Sequence, residues 1–207
     1  MSALNFLLSG QGVSGGGYSG LYVDDVFSTY TYTGNGTSQT IVNGIDLATY
    51  GGMVHIKCRN TSSTNNELFD TTRGATKGIC SNSTIAQVTG VSDLTSFGGN
   101  GFTVGAGTNF NVNISSNSYV SWTFRNAPRF YGHQLVTKSS GSNRTVSFPE
   151  LGTLGMVRVK RTDQPGSWYV WHRSLPAGQL LIGESTAAPS AMGHITVSGT
   201  SVTLVNG

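Results

Sequence analysis

The residues able to do chemistry are four histidines, two cysteines and nine carboxylates, and they are scattered along the chain. A metal site needs clustered His, Cys, Asp or Glu at ligand spacing, and His55, His133, His172 and His194 are isolated from one another in sequence. His55, between Val54 and Ile56, reads as a polar position on a half-buried strand. Asp24-Asp25 reads as an acidic loop more simply than as a cation site. Cys58 and Cys80 are too few for a disulfide framework and read as separate thiols. No Gly-x-Ser-x-Gly elbow presents an activated serine. Glycoside cleavage needs two facing carboxylates, whereas Glu67, Glu150, Glu184 and the six aspartates fall mostly in apparent turns. The expectation is a protein with no catalytic residue, no cofactor and no metal site.

One stretch suggests binding. Trp168-Tyr169-Val170-Trp171-His172 is rich in aromatic rings, which can stack on sugar faces while their polar tips bond hydroxyls. Trp168 and Tyr169 are therefore candidates for a glycan platform. On a strand, however, alternate residues face opposite sides, and one side must be core. The aligned Leu68-Phe69 favours packing as the main role of these bulky groups. The glycine-rich stretches are not phosphate cradles, because neither a helix start nor Lys-Ser/Thr follows them.

These residues must be positioned by strands. Charged residues make up 10% of the chain and Gly 29 of 207 positions, a composition that disfavours long helices and suits short strands with tight turns. Phe27–Tyr32, Met53–Lys57, Ser118–Phe124 and Val157–Lys160 alternate with period two. Gly34-Asn35-Gly36 and Gly99-Asn100-Gly101 offer positive-φ turn positions. Helix is expected, at most, as a turn near Thr84–Gln87. The net charge of +3 is spread thinly, so no nucleic-acid stripe is expected. The longest apolar run is too short for a membrane-spanning helix, and the first residues lack the pattern of a secretory signal.

A repeat organises the chain. Gly36–Ile41 matches Gly141–Val146, and Gly52–Cys58 matches Gly155–Arg161. Leu68-Phe69-Asp70 lies against Val170-Trp171-His172, and Phe102-Thr103-Val104 through Asn113 against Ile195-Thr196-Val197 through Asn206. The second copy then stops, without a counterpart of Ser118–Phe124. Three arrangements would explain the unfinished sheet: the chain is a fragment, another subunit supplies the strand, or the second copy has shed it. Residues 1–26 read as an arm, with Phe6-Leu7-Leu8 as an apolar assembly tip on a glycine-rich tether. Residues 27–126 form a first antiparallel β-sandwich unit of jelly-roll or lectin-like kind. Residues 127–207 form a second, incomplete one. Arg125–Phe130 would be the link between them.

The stretches Val23–Gly36, Asn43–Leu47, Gly52–Lys57, Phe69–Gly74 and Ser121–Arg125 resemble a domain family of tailed-phage structural proteins, especially those of marine cyanophages. Val159–Asp163 and Trp171–Leu175 fit the same pattern in the second unit. The resemblance covers about residues 23–207. It implies a location in the virion, often in the tail or tail fibre, without a defined catalytic site. The partners it implies are other virion subunits and further copies of the chain. A host surface glycan is the alternative partner, and a capsid-decoration role the alternative placement.

Overall fold

The computed structural model describes residues 2–8, 21–137, 139 and 141–205. It is built from antiparallel strands with few and short helices. In chain order the elements are β1 (Ser2–Leu8), α1 (Val23–Val26), β2 (Phe27–Thr33), β3 (Gln39–Val42), α2 (Leu47–Tyr50), β4 (Gly52–Cys58), β5 (Asn66–Asp70), β6 (Lys77–Cys80), β7 (Val88–Thr89), β8 (Leu94–Gly98), β9 (Gly101–Val104) and β10 (Ser118–Arg125). There follow β11 (Tyr131–Gly132), β12 (Leu135–Thr137), β13 (Arg144–Ser147), a 3-10 turn (Pro149–Leu151), β14 (Met156–Arg161), β15 (Trp168–His172), β16 (Gln179–Ile182), β17 (Ser190–Ala191), β18 (Ile195–Ser198) and β19 (Ser201–Leu204). The helix turn expected near Thr84–Gln87 is absent. The turns sit instead at α1, and at α2, where the Asp46 carboxylate accepts from Thr49 N at 2.9 Å as an N-cap.

The chain divides into two compact units, one of Gly17–Ser83 with Gln87–Asn126, the other of Met1–Gly16 with Thr84–Ala86 and Ala127–Gly207. In the first unit a six-stranded sheet runs β2-β10-β4-β5-β6-β7, and a three-stranded sheet runs β3-β9-β8. Their inner faces share one core. Tyr32, Val54, Ile56, Phe69 and Tyr119 come from the larger sheet, and Ile41, Leu94, Phe102 and Val104 from the smaller. The β8–β9 hairpin needs Gly101, at φ 134°, because an added Cβ would stand 2.0 Å from Ile41 O.

In the second unit the corresponding sheets run β11-β1-β14-β15-β16-β17, with β12 also pairing β1, and β13-β19-β18. Val157, Val159, Leu180, Ile195, Val202 and Leu204 form its core. The registers of the two units correspond. Val54 faces Phe69 as Val157 faces Trp171, and Thr40 faces Thr103 as Thr145 faces Thr203. This pairing corrects one block of the sequence repeat. The partner of Phe102-Thr103-Val104 is Val202-Thr203-Leu204 rather than Ile195-Thr196-Val197. The two candidates are successive hairpin strands with the same period-two pattern, so spacing alone cannot separate them. Asn206 lies outside the described residues.

The second unit is also not short of a strand. Residues 2–8 occupy the place that β10 holds in the first unit, between β14 on one side and β11 and β12 on the other. The missing ribbon comes from the opposite end of the sequence, where a search for a strand after residue 205 does not look. Residues 2–8, with Phe6, Leu7 and Leu8 among them, form β1 of this sheet. The glycine-rich stretch from Gly10 to Gly20 lies outside the described residues.

Candidate functional site

Neither aromatic candidate offers an open platform. Trp168 is fully buried. Its backbone N–H donates to Glu184 Oε2 at 3.0 Å, and the Arg158 guanidinium lies 4.6 Å above its ring. Burial pulls the Arg158 pKa down, while Tyr131 and Glu184 oppose that shift. Tyr169 faces the other side of the strand, packs against the core and stacks on His194 at 4.2 Å. The other histidines have local partners as well. His55 Nε2 is 3.0 Å from Ser81 Oγ, His133 stacks on Tyr131, and His172 Nδ1 accepts from Ser174 N. Among the described residues, no three His, Cys, Asp or Glu side chains stand together in a metal-holding group. Cys58 and Cys80 are both buried free thiols. Arg125, placed by sequence in a link, lies 4.0 Å over the Tyr50 ring.

The first unit buries polar chemistry that sequence spacing did not reveal. Glu67 is buried on β5 and accepts from Cys80 Sγ at 3.1 Å. Burial raises its pKa to about 8, with the Asp93 charge adding to the rise and the Cys80 bond and Lys57 opposing it. A carboxyl whose folded pKa is raised binds a proton that the unfolded chain releases. Its stabilising contribution is complete below the ordinary glutamate value and is lost as pH rises toward 8. Glu67→Gln is therefore expected to flatten the fall in stability between pH 5 and pH 8, as read from urea midpoints across that range. A slope equal to that of the wild type would contradict the assignment to Glu67.

The exposed chemistry of the second unit is a hydroxyl surface. Along β13, β18 and β19 the sequences Thr145-Val146-Ser147, Thr196-Val197-Ser198 and Ser201-Val202-Thr203 send valine inward and hydroxyls outward. Register aligns Thr145, Thr203 and Thr196 in one row, and Ser147, Ser201 and Ser198 in the next. Thr145 Oγ1 and Thr203 Oγ1 are 2.8 Å apart, and Ser201 Oγ donates to Ser147 Oγ at 3.4 Å. The first unit keeps the same cross-strand pair, Thr40 with Thr103 at 3.2 Å. Beside β13 the surface falls into an open groove of ≈470 Å³, lined by Gln134, Leu135, Val136 and Thr137 on one side and Arg144, Thr145, Val146 and Ser147 on the other. Gln134 Nε2 reaches toward Ser147 O across it, at 3.4 Å. Hydroxyls, one amide and one guanidinium can donate to and accept from a hydroxylated ligand such as a saccharide. The signal for this surface was present in the sequence as three Thr/Ser-Val-Ser/Thr triplets.

The family described as a domain of unknown function, DUF7483, matches residues 23–206. No curated protein matches the chain. No solved structure matches it either.

Proposed function

The chain belongs to the DUF7483 family, and we propose, on its resemblance to phage structural domains, that it is a virion structural protein of a tailed phage, with tail or tail-fibre placement preferred over the head. In this reading each unit is a β-sandwich of jelly-roll or lectin-like kind, and the role is mechanical rather than catalytic. One observation carries it above the others. The resembling stretches on β4 and β5 of the first unit, Gly52–Lys57 and Phe69–Gly74, lie at the same register positions as those on β14 and β15 of the second, Val159–Asp163 and Trp171–Leu175. The low charge and hydroxyl-rich faces support the same reading. So does β2, a seven-residue sheet edge without charge or proline, of the sort that adjoining subunits pair with. Antibody-labelled electron microscopy of purified particles tests it. The expected result is label on tails. Label on capsids would move the protein to a decoration role, and particles free of the protein would overturn the reading.

A second reading, a carbohydrate-binding adhesin, is favoured by the groove beside β13 and not by Trp168 or Tyr169. Replacing Thr145 and Ser147 by Val, both exposed, is expected to change stability by no more than about 0.5 kcal/mol each. If the groove is the receptor site, glycan-array binding disappears in that variant while the thermal transition stays in place. Binding that survives the double substitution removes the groove from consideration.

A further inference from the structure

We propose that residues 2–8 are an exchangeable donor strand, and that copies of this chain link by inserting it into the second unit of a neighbouring copy. The acceptor is visible in the sheet register. Leu8 faces Met156, Leu7 faces Val157 and Ala3 faces Arg161 on one side. On the other side Leu8 faces Tyr131, Leu7 faces Gly132, and Ser2 faces Thr137. The first unit shows the same slot filled from within, where Phe124 faces both Met53 and Phe27. Residues 2–8 are therefore a central strand, paired on both edges. Without them β14 keeps only β15 as a neighbour and the sheet separates from β11 and β12.

The two slots are filled by different routes. β10 begins 14 residues after β9 ends, within its own unit. β1 must reach its slot from the far end of the sequence, joined to α1 through residues 9–22, which include six glycines. A fully extended chain of that length reaches at most about 50 Å. The strand makes the same backbone pairs whether its own chain or a neighbour provides the acceptor. Only the effective concentration set by the covalent connection favours its own chain. Closely packed copies reach comparable local concentrations, and exchange then joins them without a new interface. The identical covalent strand thus serves as closure in a lone chain and as a link between chains. This inference rests on sheet register and not on the virion reading, so either can fail without the other.

The test uses full-length chains. One carries Ser2→Cys and another Thr137→Cys, register partners at one end of the slot. A third chain carries both changes. The two single variants are unfolded together, refolded at rising concentration and oxidised, and disulfides are mapped by mass spectrometry of peptides. The expected result is a disulfide between position 2 of one chain and position 137 of the other, its share rising about tenfold for each tenfold rise in concentration while the tether still competes. The double variant closes the same bond within one chain at low concentration. An intrachain bond in the double variant with no cross-chain bond in the mixture at any concentration overturns exchange. Absence of the bond in both would overturn the slot itself.

Discussion

Deleting residues 2–8 is expected to abolish hydrogen-exchange protection along β14. The strand contributes six register pairs with β14, two with β11 and three with β12. At a net ~1 kcal/mol for each backbone hydrogen bond, the loss is of the order of the whole stability of a small domain, about 5–15 kcal/mol. The apolar consequence adds to it. Val157 and Val159 belong to the second core, and their strand would become a sheet edge paired with β15 alone. Arg173 N donates to Gly155 O, so alternate positions of β14 bond to β15 while the amides of Arg158 and Lys160 point to residues 2–8. Amides of His55 and Lys57 on β4, which point to β10, provide the comparison, because β10 remains in place and the first core is a separate cluster. The deleted chain should show slow exchange at His55 and Lys57 and fast exchange at Arg158 and Lys160. Protection at Arg158 and Lys160 equal to that of the full chain would show that residues 2–8 do not close the sheet. A single Leu7→Pro change, which removes a donor from a strand paired on both edges, should act in the same direction.

The repeat was readable because β-structure repeats its side-chain period, and matched turns preserve it. Gly36 and Gly101 do adopt positive φ in the turns expected of them. The alternation of Trp168, Tyr169, Val170 and Trp171 was likewise legible, and Tyr169 and Trp171 take the core side. Three things escaped for physical reasons. A period of two is the same in every strand of a hairpin, so β18 and β19 were confusable. Strand closure is a long-range pairing, and no local propensity of residues 2–8 names β14 as the partner. Burial of Glu67 beside Cys80 and Asp93 is created by convergence of β5, β6 and the segment around β8, which sequence separation conceals. The hydroxyl face was the reverse case. Its triplets are local and visible, but serine and threonine are so common in this chain that composition hid the pattern.

Asp70→Ala should destabilise the first unit by about 3–5 kcal/mol, because it leaves a buried guanidinium without its counter-charge. Both side chains of the Asp70–Arg73 pair are fully buried. Asp70 Oδ2 accepts from Arg73 Nε, and Oδ1 accepts from the Arg73 backbone N–H at 2.9 Å. Arg73 Nη2 also reaches Leu68 O at 3.0 Å, so the cation ties the strand to the turn that follows it. In the corresponding turn of the second unit the residue at this place is a histidine rather than a carboxylate. There His172 stands in register where Asp70 stands, and its Nδ1 accepts from Ser174 N at 3.2 Å. The turn therefore does not require two buried charges; what it requires is an acceptor at that position. It follows that removing one charge should be far worse than removing both. Asp70→Leu combined with Arg73→Met is expected to recover most of the loss seen in Asp70→Ala, since no charge is then stranded in the interior. Urea unfolding of the single and paired variants measures the difference. A single variant within about 1 kcal/mol of the wild type would mean that water or a rearranged side chain reaches Arg73, and that the pair is not sealed in the folded unit.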